Sequence, residues 1–355
     1  MMKKGKTSLI GPFSPPYNGD GVKNDFLKAG FGEMLSQPFE CVDTIYRGQG
    51  RMRFVAHLVA VLWRSNQIIL SLNKWGRMVI IPLCCLMSVL RKKKVVLFVI
   101  GGSYDLQLKG LNLLARSVYV LLLNGLNGVL GESYRLVDGL RKIGVRHASV
   151  IYNPRIDSGH RWSLTEDSRN KIVFVSRVTP SKGIFELMDA IALLCGLRKR
   201  DYQLHIFGPI DPECEREFFK RVELHPTWYL YRGVVQPQQV QEVISRFHLL
   251  ALPTFHYGEG LPGVLVEAGF AGMPMVMTRF NSLDEYFKEN ESAGFVECHD
   301  VDALAGKLDD VLLSDSLATH IGKGAQEVTA PFHLQRVMND VRIFLLSKGW
   351  VFDAF

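Results

Sequence analysis

The sequence has no apolar run long enough to cross a lipid bilayer as a helix. Its longest apolar run, Met78 to Leu90, has thirteen residues and contains Pro82, whereas a spanning helix needs about 20 apolar residues. A secretory signal is also missing, because Gly11-Pro12 interrupts the apolar residues after the basic opening. We therefore expect a cytoplasmic protein without a transmembrane helix.

The absence of cysteine motifs and of other short motifs excludes further classes of protein. The six cysteines show no C-x-x-C spacing and no disulfide framework, so we expect reduced thiols, mostly in the core. No G-x-G-x-x-G follows the first predicted strand, which disfavours a dehydrogenase. We expect no Asp-x-Asp metal motif in the chain, and the isolated His205 and His256 are interpreted as structural residues.

Acidic residues are scarce in the first half of the chain. Residues 1–150 carry 21 Lys and Arg against 8 Asp and Glu, a net charge of +13, whereas residues 151–355 carry 21 against 27, a net charge of −6. A basic half favours a nucleic acid, an anionic membrane surface or a phosphorylated ligand. Nucleic acid is not expected, because zinc-finger spacings and an aromatic-rich RNA-binding signature are both missing.

A predicted helix over Arg51–Arg64 is apolar with basic ends. One interpretation is an ordinary packed helix. The other is a helix lying on a membrane, with Phe54 or Trp63 at the interface and cations at the head groups. The run Arg91–Lys94 adds to the same basic half, although such a run is also typical of a solvated loop.

A length of 355 residues favours two domains of about 150 to 200 residues each. A hydrophobic share of 47% with 22% charged residues is ordinary for a globular protein. Buried-strand patterns alternate with helical patterns, which predicts an α/β protein. The polar, aperiodic residues 155–170 indicate the domain boundary, which we place between 158 and 159.

The clearest strand-loop-helix unit lies in the second half. Leu249–Pro253 is predicted as a buried strand, Tyr257–Gly260 as the loop after it, and the residues after Pro262 as a helix that stops at Gly272. Ligands of open α/β sheets lie outside the carboxyl ends of the strands. This places Glu259 beside a ligand, and backbone amides from Gly260 to Val264 would attract a phosphate.

Glu267 follows Glu259 by eight residues, and it faces the same crevice only if the helix starts late. The alternative is two solvated helix carboxylates. The whole pattern, P-T-F-x-x-G-E-G-L-P-x-x-L-x-E-A-x-x-x-G-x-P-x-V from Pro253 to Val276, resembles the donor-site signature of retaining GT-B glycosyltransferases of family 4. The bacterial enzymes that build surface polysaccharides, such as lipopolysaccharide or capsule, are the closest type.

The resemblance implies an α/β GT-B fold. Two Rossmann-like parallel-sheet domains would face a central cleft, and the C-terminal helix would cross back to the first domain, with Trp350 and Phe352 docking there. Residues 1–158, completed by about 335–355, are expected to bind the acceptor. Residues 159–334 are expected to bind the nucleotide-sugar donor.

A second motif supports the donor site. S-R-x-x-x-x-K-G-I, from Ser176 to Ile184, follows a predicted strand and precedes a helix. Two cations beside free helix amides suit a diphosphate, although an exposed Arg and Lys are common on any surface. The motif resembles the family's diphosphate-binding motif, which implies that Arg177 and Lys182 are catalytic together with Glu259.

The remaining donor contacts are carried over from the family. Glu267 would hold the ribose hydroxyls, and Gly208 and Val235 would border the base. The loop Gly11–Gly21, with three glycines and three prolines, resembles the glycine loop beside the diphosphate, or else is a plain surface loop. The donor-binding residues expected from the resemblance are Glu267, Gly260, Leu261, Pro262, Gly263, Val264, Gly208, Val235, Gly19 and Asp20, with Gly21 as a further candidate.

Many family members carry a histidine that contacts the donor sugar near the end of the strand predicted at Val95–Ile100. This chain has Gly101-Gly102-Ser103-Tyr104-Asp105 there, which resembles a double-glycine variant of sugar-polymer transferases. Gly101, Gly102 and Asp105 are therefore candidates for sugar or acceptor contacts. The residues Thr278–Ser282 replace a glycine pair that is frequent in the family, so that turn is expected to differ in shape.

The implied activity is transfer of a sugar from a UDP- or GDP-linked donor to a glycan or lipid-linked glycan, with retention and without a metal or other cofactor. An anionic membrane surface is an expected partner, with the protein peripheral on the inner face of the cytoplasmic membrane. The alternatives are a sugar-nucleotide 2-epimerase on the same fold and a non-catalytic nucleotide-sugar binding protein. The sugar, the nucleotide and the acceptor stay open.

Overall fold

The computed structural model describes residues 6–15, 19–35, 39–45 and 50–352. The chain divides into two compact units. Unit 1 contains residues up to Arg155 and those from Phe332 onward, and unit 2 runs from Ile156 to Pro331. The chain thus leaves unit 1 close to the polar stretch predicted as the boundary, three residues before position 158.

Unit 1 is built on a six-stranded parallel sheet with the strand order β2-β1-β3-β4-β5-β6. In chain order its elements are β1 (Thr7–Gly11), α1 (Gly19–Met34), β2 (Glu40–Asp43), α2 (Arg51–Arg64), β3 (Gln67–Leu72), α3 (Lys74–Arg91), β4 (Lys94–Val99), α4 (Tyr104–Lys109), α5 (Leu113–Asn124), β5 (Gly128–Gly131), α6 (Tyr134–Lys142), β6 (Ala148–Val150) and, after unit 2, α14 (Leu334–Ser347).

Both faces of this sheet are covered, which explains why its strands are apolar runs without alternation. One core lies under α2 to α6, and the other lies under α1 and α14. A side chain at Gly30 of α1 would collide with Met338 of α14, so this glycine permits close helix packing. Trp350 is buried in the second core with Phe352 against it, and the return of the C-terminal helix to the first domain is confirmed.

Unit 2 has a second six-stranded parallel sheet with the order β12-β11-β10-β7-β8-β9. Helix α7 packs against α12, and α10 packs against α9 and α13. The elements are β7 (Lys171–Val175), α7 (Ile184–Gly196), β8 (Gln203–Phe207), α8 (Glu215–Leu224), β9 (Tyr229–Tyr231), α9 (Val240–Ile244), β10 (Leu249–Leu252), α10 (Gly263–Ala271), β11 (Met275–Thr278), α11 (Leu283–Tyr286), β12 (Gly294–Val296), α12 (Val301–Leu313) and α13 (Asp315–Thr329).

Several expectations are corrected in unit 1. The predicted loop Gly11–Gly21 ends earlier, because Gly19–Gly21 form the first turn of α1; its residues 16–18 lie outside the described residues. The apolar run from Met78 belongs to α3, which continues through Pro82. The strand predicted from Val150 to Pro154 ends at Val150, because Asn153 and Pro154 lead out of the sheet.

The basic residues expected at a membrane do not all face solvent. Lys93, in the run Arg91–Lys94, is buried, and its ammonium donates hydrogen bonds to the carbonyls of Leu62, Trp63 and Ser65. These carbonyls end helix α2, where a cation satisfies unpaired acceptors. Phe54 packs against the core under α2, whereas Trp63 is exposed.

The fold leaves four of the six cysteines buried, all six as free thiols. The expectation that the cysteines lie mostly in the core is therefore confirmed. No helix among the described residues is long and apolar enough to cross a membrane.

Two buried histidines give unit 2 a pH-dependent stability. Burial lowers the pKa of His248 and of His205 from 6.5 to about 4. His248 is fully buried, and neither of its ring nitrogens has a partner among the described residues. The unfolded chain therefore binds more protons between pH 6.5 and 4, so stability present above pH 6.5 is lost as the pH falls through this window.

We predict that, between pH 7 and pH 5, the free energy of unfolding falls by about 1–2 kcal/mol less in His248→Phe than in the wild type. The reason is that an apolar ring does not take up a proton. Urea denaturation at both pH values measures this difference. His320→Phe, at an exposed position of α13, is the matched control and should keep the wild-type loss. An unchanged pH dependence in His248→Phe would refute the assignment.

Candidate functional site

The strand order of unit 2 reverses between β7 and β10. Strands β7, β8 and β9 follow each other in one direction, whereas β10, β11 and β12 extend the sheet in the other. The loops after β7 and β10 therefore start side by side at the carboxyl edge. Open α/β sheets bind their ligands at this switch point.

Close backbone contact joins these two loops. Phe255 donates its N–H to the Ser181 carbonyl at 2.9 Å. Gly183 has a φ of 74°, and a Cβ there would collide with the Pro253 carbonyl, so glycine is required on both counts. The turn Pro180–Lys182 is thereby held against the start of the β10 loop.

Lys182 and Glu259 form an ion pair across the two loops. Their side chains are 16% and 13% exposed, which leaves them accessible to a ligand. The pair brings together the motifs Ser176–Ile184 and Pro253–Val276, which lie apart in the sequence. Both residues therefore lie at one site within unit 2.

A hydrogen-bond network holds Glu259 from its side chain and its backbone. The hydroxyl of Thr254 donates to Glu259 Oε2 at 3.1 Å, and the hydroxyl of Thr278 donates to the Thr254 carbonyl. Asn281 donates from Nδ2 to the Glu259 carbonyl at 3.0 Å. Asn281 has a φ of 51°, a left-handed conformation that asparagine tolerates.

His256 lies in the same cluster, although the sequence analysis expects it to be an isolated structural residue. Its Nδ1 lies 3.2 Å from the Ser181 hydroxyl. Burial lowers the pKa of His256, the charges of Lys182 and Arg177 lower it further, and Glu259 opposes them. Two cations, a carboxylate and a histidine therefore share one electrostatic environment.

Arg177 is exposed at the end of β7, where its neighbours continue the pairing with the β8 strand. Ser176 donates its N–H to the Phe207 carbonyl at 3.1 Å, and Val178 donates to the Pro209 carbonyl at 2.9 Å. The backbone on both sides of Arg177 is thus fixed, while its guanidinium is presented to solvent.

The loops after β8 and β9 adjoin this position. Gly208 has a φ of 137°, and a Cβ there would collide with the Ser176 carbonyl. Its N–H bonds the Gly233 carbonyl at 2.8 Å, and its carbonyl accepts from the Tyr231 hydroxyl at 3.0 Å. Val235 is half-buried two residues beyond Gly233. The predicted base-side residues therefore lie on the loops next to Arg177.

Helix α10 starts late, as the placement of Glu267 requires. Residues 256–262 are loop, the helix begins at Gly263, and Glu267 is buried in its second turn. No side chain caps the start of α10, and Gly272 ends the helix with a φ of 72°. Of the predicted phosphate-side residues, Leu261 is buried, whereas Gly260, Pro262, Gly263 and Val264 are half-buried.

The candidates in unit 1 lie at the carboxyl edge of its own sheet. Gly19 and Asp20 start α1, and Gly101, with a φ of 85°, turns the chain after β4 together with Gly102. The Asp105 carboxylate is buried and pairs with Lys109 at 3.1 Å. A Cβ at Gly139 of α6 would collide with that carboxylate, so Asp105 points into α6, which favours a packing role.

Sequence reasoning missed the buried cations at this edge. Lys23 pairs with Glu132 at 2.6 Å and donates to the Val99 carbonyl at 3.1 Å. Arg77 donates to the carbonyls of Leu72 and Ile100, and Arg135 donates to the Gly102 carbonyl. These cations tie the strand ends and the double-glycine turn to α1, α3 and α6. No sequence signal singles out Lys23 or Arg135, because α1 and α6 carry several other charged residues.

The expectation that the chain lacks an Asp-x-Asp motif is wrong, because Asp300-Val301-Asp302 is one. Asp300 caps α12 by accepting the N–H of Ala303 at 2.8 Å. Among the described residues, no group of three His, Cys, Asp or Glu side chains is placed to hold a metal ion. Transfer without a metal stays a prediction.

Two parallel-sheet α/β units, with a switch-point site in the second, define a GT-B glycosyltransferase fold. The family model of glycosyl transferases group 1 matches residues 158–328. The resemblance of the motif Pro253–Val276 to glycosyltransferases is therefore confirmed over most of unit 2, at the level of this family model.

Solved structures share this fold. The crystal structure of Anabaena Alr3699/HepE in complex with UDP-glucose has a TM-score of 0.76 at 15% identity, covering 96% of this chain and 99% of that chain. Sucrose-phosphate synthase from Thermosynechococcus elongatus has a TM-score of 0.72 at 15% identity, covering 97% and 99%. At these identities the similarity concerns the fold.

Curated relatives match about half of the chain. One is the Campylobacter jejuni GalNAc-alpha-(1->4)-GalNAc-alpha-(1->3)-diNAcBac-PP-undecaprenol alpha-1,4-N-acetyl-D-galactosaminyltransferase, 23% identical over 59% of this chain and 60% of its own length. Another is the Staphylococcus aureus poly(ribitol-phosphate) alpha-N-acetylglucosaminyltransferase, 27% identical over 58% of this chain and 40% of its own length.

We predict that Lys182→Ala raises the pKa of His256, because a nearby positive charge that disfavours the protonated ring is removed. Glu259→Gln should lower it, because the opposing negative charge is lost. An NMR titration of the histidine ring protons measures both shifts. Lys171→Ala is the matched control: Lys171 lowers the pKa of His205, so His205 should respond and His256 should not. An unshifted His256 in Lys182→Ala would contradict the cluster.

Proposed function

We propose that the protein is a retaining glycosyltransferase of family 4. It would transfer a sugar from a UDP- or GDP-sugar to a glycan or lipid-linked glycan in the synthesis of a cell-surface polysaccharide. The observation that carries the proposal is the meeting of Lys182 and Glu259, with Arg177 beside them, at the switch point of the unit 2 sheet. Unit 2 would thus bind the donor, and unit 1 the acceptor.

The reaction breaks the bond between the sugar C1 and a phosphate oxygen. The electron pair leaves with the nucleoside diphosphate, and an oxocarbenium-like centre develops at C1. Preorganised cations and N–H donors stabilise such developing charge. Arg177, Lys182 and the uncapped start of α10 would supply this stabilisation, without a metal.

Retention follows if the acceptor hydroxyl attacks C1 from the face that the phosphate leaves. The new bond joins the acceptor oxygen to C1, and the hydroxyl proton passes to the leaving phosphate oxygen. In this scheme Glu259 lies near the transferred sugar, and Glu267 holds the ribose hydroxyls as in the family.

The Lys182–Glu259 pair adds a step to donor binding. A donor diphosphate competes with the Glu259 carboxylate for the Lys182 ammonium, since both are anions seeking the same three N–H donors. Donor binding would therefore release Glu259 from Lys182 toward the sugar. Thr254 and Asn281 limit this movement by their bonds to Glu259.

Membrane association is part of the proposal. The curated Campylobacter relative is named for a polyprenyl-diphosphate-linked acceptor, and unit 1 contains the basic half of the chain. We propose that the protein is peripheral on the inner face of the cytoplasmic membrane, where a lipid-linked acceptor would be anchored.

The proposal is tested by incubating the protein with a panel of UDP- and GDP-sugars, with and without lipid-linked acceptors. Acceptor-dependent nucleotide release with a glycosylated product supports transfer. Conversion of the sugar nucleotide to an epimer without an acceptor would favour the 2-epimerase alternative. Binding without turnover across the panel would favour a non-catalytic binding protein.

For the phosphate clamp, we predict that Arg177→Ala and Lys182→Ala each lower turnover by roughly two orders of magnitude, as the loss of one donor aimed at developing charge does. Steady-state nucleotide release measures the effect. Arg246→Ala, which removes an exposed cation that pairs with Glu242, is the control and should keep wild-type turnover. Wild-type rates in either clamp variant would disprove the assignment.

Calorimetry with free UDP or GDP should distinguish the roles of the two carboxylates, Glu259 and Glu267. Glu267→Ala should weaken binding if Glu267 holds the ribose. Glu259→Ala should leave binding intact or tighten it, because Lys182 is no longer occupied by a carboxylate, and it should damage transfer. The opposite order of affinities would reverse the two roles.

A further inference from the structure

Three neighbouring helices of unit 1 carry an unusual share of exposed apolar side chains. Helices α2, α3 and α5 comprise 44 residues but hold 11 of the 22 exposed large hydrophobic residues in the described chain. We name this surface the apolar face. Its members are Met52, Val55, Val59, Trp63, Met78, Val79, Leu86, Leu113, Leu114, Val118 and Leu121.

The apolar face lies on one layer of helices. Helix α3 contacts both α2 and α5, and the Tyr119 hydroxyl of α5 donates to the Met78 carbonyl of α3 at 3.1 Å. All three helices bury their inner sides in the same core. Their exposed sides therefore belong to a contiguous surface, whereas the exposed hydrophobic residues of unit 2 are spread over several loops and helices.

Helix α2 shows the arrangement most clearly, because it has three distinct sides. Leu58, Val61 and Leu62 are buried in the core. Val55, Val59 and Trp63 repeat at intervals of four residues along a second, exposed side. The third side carries Arg53, His57 and Arg64. A helix that needed only to pack on the sheet would have no use for the second side.

The charges that border the apolar face are mainly positive, with Glu40 as a counter-charge beside Arg64 and His57 of α2. No Asp or Glu occurs from residue 44 to residue 104, and α5 has none either. Exposed cations border the face at Arg53, Arg91 and Lys92. Arg91 lies over the Trp63 ring at 3.3 Å, so a cation and an interfacial aromatic are presented together.

We propose that the apolar face inserts into the interfacial region of an anionic lipid bilayer, with its border cations at the head groups. Amphipathic helices with this pattern bind membranes by burying apolar area and by attraction to anionic lipids. A second copy of the chain fits less well, because a two-fold interface would set the same cations opposite each other. The inference deepens the proposed membrane association by naming the face and by making its attachment partly apolar.

Insertion and simple charge attraction differ in their response to salt. Salt screens exposed charges, with a Debye length of about 8 Å at physiological ionic strength, but it does not weaken apolar burial. We therefore expect residual binding to anionic vesicles at high salt. The residual part should depend on the apolar face and the salt-sensitive part on the border cations.

The experiment is co-sedimentation of the full chain with vesicles of phosphatidylcholine, alone and mixed with phosphatidylglycerol, at low and high salt. The triple variant V55S/V59S/W63S should lower partitioning on the order of tenfold at both salt concentrations. The triple variant R53Q/R91Q/K92Q should lower it mainly at low salt. Lys93 is left unchanged because it supports the end of α2.

The matched control is the triple variant L197S/L224S/L313S, which removes three exposed leucines of unit 2 and should bind as the wild type does. Fluorescence gives a second readout, because brominated lipids should quench Trp63 in the wild type, and Trp63→Phe should remove that quenching. Affinity for UDP or GDP, measured in parallel, should be unchanged in every variant. Membrane and donor-site failures are thereby distinguishable.

Three outcomes would overturn the inference. Vesicle binding of V55S/V59S/W63S equal to that of the wild type would exclude insertion of this face. An equal loss in the unit 2 control would show a nonspecific effect. Wild-type protein that ignores vesicles but self-associates in sedimentation velocity, with self-association lost in V55S/V59S/W63S, would assign the face to a second copy of the chain.

Discussion

The reversal of strand order between β7 and β10 is the constraint on which the candidate site depends. It brings Lys182 and Glu259 together across a sequence separation of 77 residues. The approach also requires Gly183, since a side chain there would meet the Pro253 carbonyl. A single glycine in a left-handed conformation thus lets two loops share one charge pair, and the chemistry proposed for unit 2 rests on that contact.

The ion pair also determines how strongly the site attracts an approaching anion. A half-buried Lys182 without a partner would attract any phosphate, but its charge is matched by Glu259. An incoming ligand must therefore bind with more than one negative oxygen, and the nearby Arg177 can bind the second oxygen. In the proposed function, the donor diphosphate supplies these oxygens to both cations. The neutral form of His256, maintained by burial and by both cations, keeps a further positive charge out of the cluster.

Features governed by local pattern could be predicted from the sequence. Helix α2 begins and ends where its apolar period and basic ends indicate, and α10 ends at Gly272 because glycine alone readily takes that conformation. Side-chain direction could not be predicted. Asp105 follows a strand that leads to a crevice, yet its carboxylate turns into α6, where Gly139 leaves room. His256 seemed isolated because its partner Ser181 lies in a different loop.

The same limit explains why the sequence analysis does not predict strands β2 and β3. Strand β2, Glu40–Asp43, is short and has an acidic residue at each end, and β3, Gln67–Leu72, is an apolar run between two helices. Neither alternates, because the sheet is covered on both faces. Such runs are assigned only when their neighbours are known, since parallel strands and buried helix segments share the same apolar composition.

The net charge of unit 1 is an incomplete guide to how strongly it binds an anionic partner. Of its cations, Lys23 and Arg77 are buried and hold strand ends, and Lys93 is buried and holds the end of α2. These charges stabilise the fold and do not contribute to the charge of the protein surface. The attraction of unit 1 to an anionic partner is therefore weaker than +13 suggests. What remains on the outside is a smaller set of cations around an apolar face, and burial of that face supplies the attachment that charge alone does not.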